Sequence, residues 1–183
     1  MIIERYLAAA AGFESRLRAI GQRQWTDPTP CAEWNVRQLV NHVVTGNHLN
    51  RILLTDPGAA AELRRNRNVD ILGDDPLAAF TESSRLCVDA FRAHPDAQLV
   101  FPMGPISTDR AIDLRATDVL VHTWDLARAI GADEELDAEL VVWAGENLAA
   151  TFAGMADIPG VFAPPTGEVP DSPQDALLHR LGR

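Results

Sequence analysis

The sequence predicts an all-α chain: four long helices packed as a bundle, a fifth helix added to them, and a Pro/Gly-rich C-terminal tail. Three observations carry this. Apolar residues recur at steps of three and four through five long segments. Gly, Pro and Asn/Asp fall where those segments should start and stop. Strict strand alternation is nearly absent. The 183 residues are expected to form one helical-bundle domain over 1–183, with about 155–183 as an extended tail closing in a short helix.

The first helix, over about residues 2–20, carries Ile3, Leu7, Ala10, Phe13, Leu17 and Ile20 at helical spacing and ends at Gly21. Its apolar N-terminus resembles a signal peptide only superficially. Glu4 and Arg5 interrupt it, and Glu14, Arg16 and Arg18 follow at helical spacing, so an amphipathic helix is expected. The stretch QWTDPTPCAEW, with two prolines, reads as loop. Asn35 is expected to cap the second helix, with Gln38 completing a capping box. That helix places Val36, Leu39, Val40, Val43, Val44, Leu49 and Leu53 on its apolar face, and Asp56-Pro57-Gly58 stops it.

Residues 59–73 are polar and could begin as helix and end as loop. Asp74 or Asp75 with Pro76 opens the third helix, which runs to about His94 before Pro95. QLVFPMGPIS reads as a short extended stretch broken by Pro102, Gly104 and Pro105. A fourth helix is expected over about 108–130, ending at Gly131, and a fifth from near Asp137 to Phe152. A final turn or two of helix starts near Ser172.

Composition narrows the function. With 16 basic and 26 acidic residues the formal net charge is −10, and no basic run is present. Neither nucleic acid nor an anionic membrane surface is an expected partner. No apolar run approaches the ~20 residues of a membrane span. Cys31 and Cys87 are too few for a disulfide scaffold and match no zinc-finger spacing, so two reduced thiols in a cytoplasmic protein are expected. G-x-S-x-G, a Gly-rich phosphate loop and C-x-x-C are all missing from the sequence.

The fourth helix holds the strongest chemical signal, RATDVLVHTWDLARAIG. Asp118 and His122 are one turn apart, about 40° from each other around the axis, so they could share one divalent cation or make an ordinary hydrogen bond. Asp125 lies near the same face, at about −20° from Asp118, as a further ligand, an acceptor behind a ligand, or a packing salt bridge. His42, between Leu39 and Val43 on the second helix, is either a satisfied core histidine or the third member of a cation site. A trio of His42, Asp118 and His122 would leave a coordination position open, as catalytic zinc sites do.

His48 lies about 240° around from His42 and cannot share its face. His94 sits at a helix end that suits a cation, and His179 lies in the tail. All three read as structural or surface groups. Cys31 precedes the second helix, whose positive end could activate a thiol, but it reads rather as a small buried hydrophobe. Trp34 and Trp124 read as core anchors rather than a substrate platform.

The run WTDPTPCAEWNVRQLVNH, followed far downstream by DVLVHTWDLARAIG, resembles the mycothiol-dependent maleylpyruvate isomerase family and, more narrowly, its stand-alone actinobacterial branch within the DinB-like metal-binding four-helix bundles. The likeness extends to the terminal SPQDALLHRLGR. It implies a divalent cation, zinc or another such as nickel, held by a His of the second helix and an acid-x-x-x-His pair of a later one. Carried over, these are His42, Asp118 and His122. The family's acid is Glu where this chain has Asp118, a reach shorter by one methylene. The founding isomerase also draws an active-site arginine from a C-terminal domain for which a chain ending at Arg183 leaves no room. Maleylpyruvate isomerisation itself is therefore not the expectation.

The resemblance implies instead a thiol transferase or thiol-assisted isomerase. Mycothiol would be co-substrate and small electrophiles the substrates, with Arg115 or Arg128 meeting an anionic group. Two other readings stand beside it: a metal-dependent hydrolase, with Asp125 or Glu33 as base, and a non-catalytic, metal-stabilised helical homodimer.

Overall fold

A computed structural model describes residues 2–66, 68–154, 167 and 169–183. Among these, seven α-helices are present: α1 (Ile2–Arg18), α2 (Val36–Thr55), α3 (Ala60–Arg65), α4 (Pro76–Ala93), α5 (Thr108–Ile130), α6 (Ala138–Thr151) and α7 (Pro173–Arg180). The fold is all-α and of the DinB-like type. α1 packs on α5 and α4, and α2 packs on α4 and α5, so the four long helices close into a ring. α6 is the added helix; it lies against α5 and α1 and carries α7 on it.

Start and stop signals act as their chemistry requires. The Asn35 side chain accepts from Gln38 N while Gln38 Oε1 accepts from Asn35 N, forming the capping box of α2. The side chains of Asp75, Ser107, Asp137 and Ser172 each accept a backbone N–H three residues on and cap α4, α5, α6 and α7. Gly131, at φ 68°, closes α5 in the left-handed conformation that a Cβ would disfavour.

The stretch 98–107 departs from a simple extended segment. β1 (Gln98–Phe101) and β2 (Gly104–Ser107) pair antiparallel, Gln98 opposite Ser107 and Phe101 opposite Gly104. Pro102 and Met103 are therefore the turn of a hairpin, and Gly104 at φ 110° completes it. Leu99 and Ile106, paired across the ladder, point inward. Of the stretch 59–73, Ala60–Arg65 form α3, and the described residues after it, 66 and 68–73, are loop. The extended tail expected over 155–166 and at 168 lies outside the described residues, whereas its closing helix is α7. No helix among the described residues is long and apolar enough to cross a membrane.

The core runs the length of the ring. Tyr6 and Phe13 of α1, five aliphatic residues of α2 between Val36 and Val44, Phe80 and Phe91 of α4 and Leu126 of α5 are all fully buried. Each contributes roughly 1.5–3 kcal/mol relative to an exposed position. α5 is the central element. Every residue from 114 to 127 is buried except Asp118, which is half-buried. The one break in that burial falls at the position the sequence singles out.

Candidate metal centre

His42 on α2 and Asp118 and His122 on α5 converge at one point. Asp118 Oδ1 lies 3.5 Å from His42 Nε2 and 3.5 Å from His122 Nε2. That is long for a hydrogen bond of a charged pair. It is close to the edge of a tetrahedron: two donors each about 2.0–2.1 Å from a shared ion stand roughly 3.3–3.4 Å apart. Two imidazole nitrogens and one carboxylate oxygen are a donor set that zinc accepts. The site is open on one side, because the side chains of His42 and Asp118 are 35% and 31% exposed while that of His122 is 8% exposed.

Behind these three atoms every polar group is tied down. The second oxygen of Asp118 accepts from Arg115 Nη1 at 2.8 Å. The far nitrogen of His122, Nδ1, donates to Asp125 Oδ2 at 2.9 Å, which turns Nε2 toward Asp118. Asp125 has no exposed surface. It also accepts from Arg183, Nε to Oδ1 at 2.7 Å and Nη2 to Oδ2 at 3.0 Å, and from the Cys31 thiol at 3.3 Å. Each carboxylate at the site thus has its own arginine. Cys31, His122 and Asp125 form a second trio of donor atoms, but the Arg183 guanidinium, 3.2 Å from Cys31 Sγ, already supplies a cation there.

These contacts set the ionisation states. Burial alone would raise Asp118, but Arg115 and the two histidines outweigh it and hold the carboxyl well below the usual range. Burial likewise opposes charge on His122, yet Asp118 and Asp125 hold its imidazolium well above the ordinary value. For His42 burial prevails over the attraction of Asp118, and its pKa falls. Asp125 is lowered despite burial, through its hydrogen bonds from His122 and Arg183. Without a cation, then, the contacts favour the imidazolium form of His122 and the neutral form of His42.

The wall of the site comes from the loop before α2. Thr29 and Trp34 are bound across it, Thr29 N to Trp34 O at 3.2 Å, and Trp34 N returns to Cys31 O at 2.8 Å. Thr29 Oγ1 donates to Trp34 O at 2.8 Å and accepts from Cys31 N at 3.1 Å. The prolines flanking Thr29, which lack N–H groups, suit so tight a loop. It presents Trp34 flat against His42, ring centroids 4.4 Å apart and planes 29° apart, with His122 at 5.8 Å.

The structure thus brings His42 of α2 to the Asp118/His122 pair of α5, and puts Asp125 behind His122. Other expectations change. Arg115 is buried against Asp118 and does not face a substrate. Arg128 lies over the Trp124 ring and pairs with Glu134. Cys31 is half-buried within a polar cluster rather than serving as a core hydrophobe. Trp34 lines the site, while Trp124 is the core anchor expected. Glu33 is exposed. His48 is half-buried elsewhere on α2, and His94 Nδ1 donates to Ala90 O at the end of α4. Arg183 is the participant no local pattern announces; its partners are 58 and 152 residues away.

Comparison with known proteins bears on the chain as a whole. Residues 6–127 match the family model of the mycothiol maleylpyruvate isomerase N-terminal domain, a span that holds every residue named at the site except Arg183. Two proteins of Mycobacterium tuberculosis, from strains CDC 1551 and H37Rv and both described as uncharacterized, are each 35% identical over 147 residues, 79% of this chain and 74% of theirs. No solved structure gives a significant match. With two-thirds of its length matched by that model, the chain belongs to the mycothiol maleylpyruvate isomerase N-terminal domain family.

Proposed function

We propose that this protein binds a divalent cation, zinc in the first instance, through His42, Asp118 and His122, and uses it as a mycothiol-dependent transferase or isomerase of small electrophiles. The observation that carries the reading is Asp118 Oδ1 standing 3.5 Å from both Nε2 atoms, in a site open on one side. A divalent cation held there would supply Lewis acidity, keeping a coordinated thiol ionised as the nucleophilic thiolate. The chain's own residues do the rest. Asp125 keeps the His122 proton on Nδ1, Arg115 keeps Asp118 to one free oxygen, and Trp34 shields the His42 face from water. The family match supports the thiol, and the free thiols of Cys31 and Cys87 accord with a reducing cytoplasm.

The alternatives have less support. A hydrolase would need a free base, and Asp125 is held by His122, Arg183 and Cys31. A purely structural ion would be enclosed, whereas two of these three side chains are about one-third exposed.

Elemental analysis of protein purified without an affinity tag, wild type beside His122→Ala, tests the reading. About one zinc per chain, lost in the variant, is expected. No metal in either after zinc is added and excess removed overturns it. Metal-loaded protein is then expected to consume mycothiol against a panel of electrophiles.

A further inference from the structure

Arg115 is 5% exposed, yet it carries a full charge, and four helices cooperate to hold it. Its three guanidinium nitrogens each have one acceptor: Nη1 donates to Asp118 Oδ2 at 2.8 Å, Nε to Asn47 Oδ1 at 3.0 Å, and Nη2 to the backbone carbonyl of Val43 at 3.1 Å. Asn47 is itself fixed. It accepts from the Tyr6 hydroxyl at 2.8 Å and donates to Ser83 and Ser84, each at 3.1 Å. So α1, α2 and α4 together aim one guanidinium of α5.

The room for that guanidinium comes from Gly46, one turn beyond His42 on α2. A Cβ at Gly46 would fall 2.8 Å from Arg115 Cζ and nearer still to Nη1. Any other residue there would force the Arg115 guanidinium to shift from this position. A glycine inside a helix is unfavourable by about 1 kcal/mol relative to alanine. Here the missing side chain is a socket.

We infer that Arg115, seated in the socket of Gly46, is a specificity-determining positioning residue that makes Asp118 a one-oxygen, charge-compensated ligand and so reserves the charge of a bound cation for an anionic ligand at the mouth. This rests on reading His42, Asp118 and His122 as a cation site. Two consequences of the geometry carry it. With Oδ2 bound to Arg115, Oδ1 alone faces the two Nε2 atoms. In addition, Asp118 is cancelled by Arg115 and Asp125 by Arg183, while two ligating histidines are neutral. The framework therefore sums to zero, and a divalent cation would bring an undiminished +2, where an uncompensated Asp118 would leave +1. An anionic group, such as a thiolate, is attracted by the larger charge.

The test is a cobalt(II) titration of the metal-free full chain, read by visible absorption, followed by azide titration of the loaded protein. Wild type is compared with Arg115→Met, Gly46→Ala and Arg115→Lys. Gly46→Ala keeps the arginine but shifts its guanidinium, and alanine favours the helix, so this variant serves if Arg115→Met does not fold.

Arg115→Met and Gly46→Ala are expected to bind cobalt at least as tightly as wild type and azide about tenfold or more weakly, with an altered spectrum. Arg115→Lys, which retains the charge, is expected to recover much of the azide affinity. Cobalt-loaded variants that bind azide within twofold of wild type overturn the inference, as does loss of cobalt in both, which makes Arg115 a scaffold only. Absence of cobalt uptake by wild type overturns the cation reading itself, and this inference with it.

Discussion

His122 Nδ1 and Asp125 Oδ2 lie 2.9 Å apart, three residues along one helix, and Asp125 is wholly enclosed. The bond keeps a proton on Nδ1, so that when a cation displaces the other proton it is the Nε2 lone pair beside Asp118 that becomes free. An amide at position 125 can present its oxygen to Nδ1 but carries no charge to support the imidazole. Asp125→Asn is therefore expected to lower zinc affinity by about 10- to 100-fold while the fold persists. Competition against a chromophoric chelator measures it, and circular dichroism confirms the helices.

The pH dependence of binding follows from the same bond. His122 is held well above its ordinary pKa by Asp118 and Asp125 against the effect of burial, His42 is lowered, and Asp118 is ionised. A cation must displace the Nε2 proton of the His122 imidazolium, while Nδ1 keeps its own against Asp125. Zinc affinity is expected to rise about tenfold per pH unit from pH 6 upward, flattening once His122 has titrated. The stability of the metal-free protein should run the other way. A group with a raised folded-state pKa contributes fully below its unfolded value, about 6.5. That contribution is lost as pH climbs through the folded value. Melting temperatures of metal-free wild type and His122→Ala at pH 6, 7.5 and 9 are expected to converge as pH rises.

Arg183 is the part of the site farthest in sequence from its partners. Its removal leaves Asp125 enclosed with the His122 proton and the Cys31 thiol as donors. Breaking a buried pair costs several kcal/mol, but the Arg183 side chain is 16% exposed and water can partly replace it. Arg183→Ala is expected to cost about 1–3 kcal/mol in urea unfolding, and Asp125→Asn/Arg183→Ala to cost less than the sum of the single changes.

What is legible in the sequence, and what is not, divides by sequence separation. The bounds of α5, the Asn35–Gln38 capping box and the Asp118/His122 pairing are relations within one or two turns, which helical periodicity expresses directly. His42 could be joined to that pair only through the family resemblance or the bundle itself, since nothing local on α2 names a partner on α5. The spacing of Arg115 and Asp118 was equally readable as an i, i+3 pair. That the arginine is enclosed depends on Gly46, a helix away, whose meaning is the volume it leaves. The hairpin at 98–107 escaped because four residues per strand give too few alternations to outweigh two prolines. Arg183 lies in the terminal run that shares the family likeness, but nothing there names its partners, because a contact across 152 residues leaves no local pattern.

Trp34 offers the least perturbing view of the site. Its ring lies stacked 4.4 Å from His42 and 5.8 Å from His122, close to the place a cation would occupy. A paramagnetic ion there should quench its emission at short range, with less effect on more distant indoles. Trp143 is on α6 under Arg5, Trp124, though near in sequence to His122, packs in the core beneath Arg128, and Trp25 lies half-buried in the helical turn Gln24–Thr26. Cobalt(II) is therefore expected to quench wild-type fluorescence in a saturable manner, with zinc competing the effect away. Trp34→Phe should bind cobalt within about threefold of wild type, because phenylalanine preserves a ring against His42, yet lose most of the quenching. If the variant keeps the full quenching, the ion sits away from His42, and the trio of His42, Asp118 and His122 is not where it binds.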